Sequence, residues 1–128
     1  MILLDTSALI DGLTGPRRSA RMLREAIERG ERLLLPTLVL YEWLRGPRRS
    51  KELAAQEALF PRESAVAFTA PEAALAASIY SRIRRARGRE LDLAIAACAL
   101  VRNARFWTLN LEDFADIPDL QASLPGVW

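Results

Sequence analysis

The sequence predicts an α/β fold in which a central parallel sheet of four to five strands is sandwiched between layers of helices. Three observations carry this expectation. Short apolar runs recur along the chain and end at polar residues, as strands buried on both faces do. Segments with the period of amphipathic helices lie between them. Residues 91–102 are apolar almost all round, which assigns that helix to the centre of the domain. Alternation of strand and helix requires crossover connections, and crossovers make neighbouring strands parallel.

The elements follow in order. Residues 1–4 form a buried strand ending at Asp5, and Thr6 or Ser7 caps the short helix after it. Residues 16–30 are an amphipathic helix that turns Met22, Leu23, Ala26 and Ile27 to the core. Residues 33–35 are a second strand. Pro36 and Thr37 then start a helix over 38–45, which Gly46 and Pro47 close, and a further helix covers 50–59. Residues 64–68 read as a third strand; Pro71 opens a helix reaching about Arg87, where Gly88 stops it. The apolar helix 91–102 leads to a fourth strand over 105–109, and a weak fifth lies at 120–122.

Composition narrows the chemistry. The 128 residues suit a single domain, and 51% hydrophobic with 27% charged residues supports a packed core rather than disorder. The longest apolar runs fall short of the roughly 20 residues that a membrane span needs. Asp5 interrupts the first apolar run and no basic leader precedes it, so a secretory signal is not expected and a cytoplasmic location is. The lone Cys98, set among alanines, is expected to be a small core residue without a disulfide partner. Histidine is absent, which excludes Ser-His and Cys-His nucleophilic catalysis and the usual zinc sites. Carboxylates, hydroxyls, Arg and Lys remain.

Four acids occupy positions that structure alone explains poorly. Asp5 directly follows a buried strand. Glu42 has Leu38, Val39 and Leu44 as helical neighbours, so its charge needs a cation, Arg45 or a solvent-filled cleft. Asp92 lies in the first turn of the apolar helix, where the helix dipole favours an anion. The last candidate comes from Thr108-Leu109-Asn110-Leu111-Glu112-Asp113-Phe114, directly after the fourth strand, where a buried Phe114 would fix the loop so that Asp113 or Asn110 faces the cleft. Gathered together, four like charges repel unless a cation is present, and oxygen ligands without His or Cys select Mg²⁺, with Mn²⁺ as a substitute. The remaining surface carries 18 basic against 12 acidic residues, a surplus of +6 that suits a polyanion.

Taken together, Asp5-Thr6-Ser7, Glu42, Asp92 before Ile95-Ala96-Ala97, and Thr108-x-Asn110-x-x-Asp113-Phe114 resemble the PIN-domain ribonucleases, above all the VapC-like toxins of toxin–antitoxin pairs. The resemblance spans the whole chain. It implies a three-layer α/β/α sandwich and a metal-dependent endoribonuclease. It also implies a homodimer and a cognate VapB-like antitoxin. Asp5, Glu42, Asp92 and Asp113 would be the catalytic and metal-binding quartet, with Thr6 and Asn110 in support. The link before Asp92 is short for the family, which leaves Glu90 as an alternative acid, as Glu112 is beside Asp113.

Two basic clusters are candidates for RNA contact. Arg82, Arg85 and Arg89 would align on one face of a helix, with Arg84 and Arg87 adjacent. Arg48, Arg49 and Lys51 follow the helix that carries Glu42. Trp43, Trp107 and Trp128 read as core or interface anchors before base-stacking platforms.

Overall fold

Four parallel strands form the centre of the computed structural model, which describes all 128 residues. They are β1 (Ile2–Leu4), β2 (Leu33–Leu34), β3 (Arg105–Trp107) and β4 (Ala122–Ser123), in the spatial order β2-β1-β3-β4. The register pairs Ile2 with both Leu33 and Arg105, and Phe106 with Ala122. All three residues of β1 are buried completely, which is why the chain opens on an unbroken apolar run instead of an alternating one.

The first crossover, α1 (Thr6–Leu13) and α2 (Ala20–Glu28), leads from β1 to β2 on one side. The second steps back over β1 to β3 through α3 (Thr37–Arg45), α4 (Ser50–Leu59), α5 (Ala70–Arg82) and α6 (Glu90–Val101). Crossovers of one hand running in opposite directions place α1 and α6 on opposite faces of the sheet. They also open a crevice between the carboxyl ends of β1 and β3, the position where such sheets bind ligands. A short α7 (Leu111–Phe114) connects β3 to β4.

The core explains the two most apolar helices. Leu93, Ile95, Ala96, Ala97, Cys98 and Ala99 of α6 are buried, and the small side chains let this helix pack against β1, β3 and α5 together. Gly12 of α1 has a similar purpose. A methyl group built there would stand 2.7 Å from Leu23 Cδ1, so the glycine leaves room for the buried Leu23 side chain of α2.

Several sequence expectations require correction. The helix expected over 16–30 begins only at Ala20, and Ile27 is 48% exposed instead of facing the core. Residues 64–68 form no strand: a 3-10 turn covers Arg62–Ser64, and a single parallel bridge joins Pro36 to Val66. The helix expected to reach Arg87 stops at Arg82, and Arg85 adopts the left-handed conformation at φ 56°. Ala86 is buried and Ile83 partly buried against the core at this point, and their burial outweighs continuation of a helix whose next turn would add Arg84 and Arg85 beside Arg82. Thr6 belongs to the first turn of α1, whose cap position is held by Asp5.

Candidate active site

Asp5 is the most constrained of the four acids. Its backbone N–H donates to the Trp107 carbonyl at 2.9 Å, extending the β1–β3 ladder by one rung and fixing where the side chain leaves the sheet. Oδ2 accepts the hydroxyls of Ser7 at 2.9 Å and Thr108 at 2.7 Å. With the residue only 4% exposed, these bonds replace the water it has lost. Oδ1 accepts no bond from the protein.

The same hydroxyls tie the two strand ends together. Ser7 Oγ accepts the Leu109 N–H and lies 3.2 Å from Thr108 Oγ1, which accepts the Asn110 N–H. The turn that leads to Asp113 therefore starts from a bonded frame centred on Asp5. Thr108, fully buried, and Ser7 were absent from the site residues expected from sequence. A β-branched polar residue closing a buried strand was the signal available for Thr108; Ser7 had none beyond its place after Asp5.

Glu42 projects from α3 toward the start of α1. Oε1 accepts the Thr6 hydroxyl, and Arg45 Nη2 approaches Oε2 at 3.4 Å. Glu42 thus has an Arg45 contact, long and on an exposed guanidinium, and its charge also acts on Asp92. Asp113 lies on α7, exposed, with its neighbour Phe114 buried edge-on against Phe106 at 4.8 Å between ring centres.

Asp92 reports on the whole group. It sits in the first turn of α6, half-buried, and its carboxyl is pushed up to about 6. Burial is the leading cause, followed by the negative charges of Asp5, Glu42 and Asp113, with Arg89 opposing. Four acids from four separate elements therefore share one electrostatic space. The two alternatives are not among them. Glu90 turns back to accept the Gly88 N–H at 3.1 Å, which lowers its pKa, and Glu112, exposed like Asp113, is not among the charges acting on Asp92.

A hard divalent cation fits this donor set by chemistry: oxygen ligands only, and a carboxyl whose repulsion it would relieve. No three of the acids stand close enough together to hold an ion in this structure, so the four form a loose cradle and not an assembled site. Cys98 is no rival nucleophile. It is fully buried, and burial pushes its thiol up to about 11.

The arginines divide differently from the sequence expectation. With α5 ending at Arg82, no helical face carries Arg82, Arg85 and Arg89. Arg82 Nε reaches the Ser78 carbonyl at 3.3 Å. Arg89 grips Asp116 with both guanidinium arms, at 2.8 and 2.7 Å, and donates to the Asp113 carbonyl at 2.7 Å. It braces the acid loop from a distance of more than twenty residues, a pairing no local pattern discloses. Arg48 lies over the Trp43 ring at 4.2 Å and donates to the Pro47 carbonyl, whereas Arg49 is exposed and without an acidic partner. Asn110 supplies the cap position of α7 through its backbone and is exposed. Trp43 and Trp107 are core residues; Trp128, 39% exposed, packs edge-on against Trp107 with Arg29 above it.

Comparison with known proteins agrees with this fold. The PIN domain family matches residues 2–120. Ribonuclease VapC19 of Mycobacterium tuberculosis, in two strains, is 38% identical over 123 residues, which cover 94% of this chain and 98% of that protein. Among solved structures, DNA-bound VapBC of Salmonella typhimurium superposes with a TM-score of 0.79 at 22% identity, over 95% of this chain and 96% of that one. VapBC2 of Rickettsia felis, bound to a fragment of its promoter, gives 0.74 at 19% identity, over 97% and 98%. FitAcB of Neisseria gonorrhoeae gives 0.68 at 21% identity, over 98% of each chain. At these identities the structural likeness speaks for the fold.

Proposed function

The chain belongs to the PIN-domain family, with VapC-like relatives, and from that premise we propose that it is a ribonuclease toxin of a toxin–antitoxin pair. It would cut RNA internally, depend on Mg²⁺ with Mn²⁺ as a substitute, and be held in check by a VapB-like antitoxin. The reading is supported by the arrangement of acids at the carboxyl edge of the sheet: Asp5 is bonded to Thr108 across the two strand ends, Glu42 is bonded to Thr6 beside it, and the Asp92 carboxyl is raised by burial together with the charges of Asp5, Glu42 and Asp113. Such a concentration of negative charge is costly in a fold that has no other use for it.

Asp5, Glu42, Asp92 and Asp113 would hold the cation. When bound, it supplies a water activated for attack on phosphorus and stabilisation of the leaving oxygen. The protein's own groups act on geometry. Ser7 and Thr108 hold Oδ2 of Asp5, which leaves Oδ1 free to take a cation. Thr6 steadies Glu42, and Arg89 fixes the backbone that carries Asp113. No side-chain nucleophile is required, consistent with a chain lacking histidine and with a buried Cys98. We further propose that the protein works in the cytoplasm as a homodimer; no helix is long and apolar enough to cross a membrane.

The test is cleavage of single-stranded RNA by the purified protein with Mg²⁺, with Mn²⁺ and with excess chelator. Cleavage that needs the ion and is lost in Asp5→Asn supports the reading. Undiminished cleavage by Asp5→Asn, or in chelator, refutes it. RNA binding without cleavage by the wild-type protein under any of these conditions would identify an inactive binding module instead.

A further inference from the structure

The strongest feature outside the acid cradle is a pair of adjoining clefts between the turn after α1 and the turn after α3. One, of about 250 Å³, is lined by Gly15, Arg17, Arg49, Lys51 and Glu52. The other, of about 390 Å³, shares Arg49 and Glu52 and adds Thr14, Pro47 and Arg48. Neither has a hydrophobic residue in its wall. None of the four cations is paired with a carboxylate. The six arginines that are so paired, Arg21, Arg45, Arg62, Arg89, Arg102 and Arg105, all lie elsewhere.

Glu52, the one acid in the wall, is already engaged: Oε1 accepts the Arg49 N–H at 2.8 Å and caps α4. Convergence of unpaired like charges in a concavity destabilises the free protein, and an anion relieves it. Arg17 heightens the contrast, since its backbone is in the left-handed conformation at φ 53°, an uncommon state for a residue with a side chain. The sequence had joined Arg48 and Arg49 to Lys51; Arg17, more than thirty residues earlier, is brought in by the fold.

The location selects the class of anion. Helix α1 has Thr6 at one end, bonded to Glu42 of the cradle, and Thr14 just beyond the other, in the wall of the cleft. Its eight residues place the two about 12 Å apart, a distance a single strand crosses in a few nucleotides. The helix that carries Glu42 ends at Arg45, two residues before Pro47 in the wall of the cleft.

We propose that this cleft is a phosphate subsite for the backbone of the substrate RNA, with Arg17, Arg49 and Lys51 holding a phosphate a few nucleotides from the bond that is cut. The proposal rests on the ribonuclease reading, and it makes RNA affinity depend on strand length as well as on the cradle.

The test uses Asp5→Asn protein, which binds without cutting, and oligouridines either long enough to reach from cradle to cleft or too short to do so. In the Arg17→Gln/Lys51→Gln background, binding of the long oligomer weakens. The slope of log affinity against log salt also falls by about 1.4, since each phosphate contact on a single strand contributes roughly 0.7. The short oligomer is unaffected. A charge-matched pair outside the cleft, Arg32→Gln/Arg62→Gln, leaves the slope unchanged.

Equal effects from the two pairs, or equal effects on long and short strands, would overturn the subsite in favour of a diffuse basic field. Loss of poly-glutamate binding with an unaltered RNA slope would assign the cleft to an acidic protein segment instead. Wild-type protein that neither cuts nor binds RNA would remove the ribonuclease reading itself, an outcome separate from failure of the cleft variants alone.

Discussion

Glu72 and Asp92 sit on adjoining helices, α5 and α6, and answer loss of solvent in opposite ways. Glu72 is 2% exposed, yet its carboxyl is drawn down to about 2. The Thr69 hydroxyl is the leading cause. The Thr69 N–H at 2.8 Å and Arg102 at 3.0 Å complete a shell that joins the start of α5 to the end of α6. Asp92 is less buried but accepts no hydrogen bond from a side chain, and its nearest charges are mostly of its own sign. Burial of a carboxylate therefore says little about its use. What separates a structural acid from a candidate ligand is whether the fold supplies its counter-charge.

The contrast is broken most directly by removing each charge. Asp92→Asn should lower RNA cleavage at least about a hundredfold while the fold persists, because the lost group serves the cradle. In metal-free protein the same change should raise the melting temperature, since repulsion is relieved. A loss of activity accompanied by a lower melting temperature would make Asp92 structural after all. Glu72→Gln should do the reverse, costing about 3 kcal/mol of stability by leaving Arg102 without its anion, with the affinity for Mn²⁺ unchanged. Denaturant unfolding and Mn²⁺ titration of the two variants decide between these outcomes.

Thr108→Val sharpens the comparison from the side of Asp5. The variant keeps the shape of the residue but removes a bond to Asp5 Oδ2 and the acceptor for the Asn110 N–H, at a cost of about 1–3 kcal/mol. Its distinguishing effect is on Mn²⁺ affinity, which should fall roughly tenfold as Asp5 loses its fixed orientation. An unchanged affinity would reduce Thr108 to a role in packing.

The sequence marks the four candidate acids more clearly than the residues bonded around them, for a physical reason. Asp5, Glu42, Asp92 and Asp113 stand at strand ends or among apolar neighbours, where a charge is anomalous, and local context suffices to mark them. The strand order places them together, and alternation of strand and helix foretold that order's parallel character. Residues 64–68 looked like a strand because Val66 and Phe68 alternate with small residues, yet only Val66 finds a partner and Phe68 remains 36% exposed. The end of α5 was missed because the periodicity of its arginines continues past Arg82 while the backbone turns to bury Ala86 and, in part, Ile83. Arg89–Asp116, Glu72–Arg102 and the entry of Arg17 into the basic cleft are long-range pairings, and nothing within a helical turn of either partner announces them.

The smallest effect, and the one that tests both acids at once, is the dependence of stability on pH in chelator. Glu72 has a folded pKa below its ordinary 4.5, so its contribution is complete above that value and is lost as pH falls toward 2. Asp92 has a folded pKa of about 6 against an ordinary 3.8, so the folded chain holds the extra proton and stability declines as pH rises through that interval. Its decline should be on the order of 1 kcal/mol once partial exposure is allowed for. The two together give metal-free protein a shallow maximum between about pH 4 and 5. Asp92→Asn should flatten the upper flank alone, and Glu72→Gln the lower flank alone. Added Mn²⁺ should also flatten the upper flank, because a bound cation removes the penalty on an ionised Asp92. An upper flank that survives Asp92→Asn would mean that the repulsion falls on another member of the quartet.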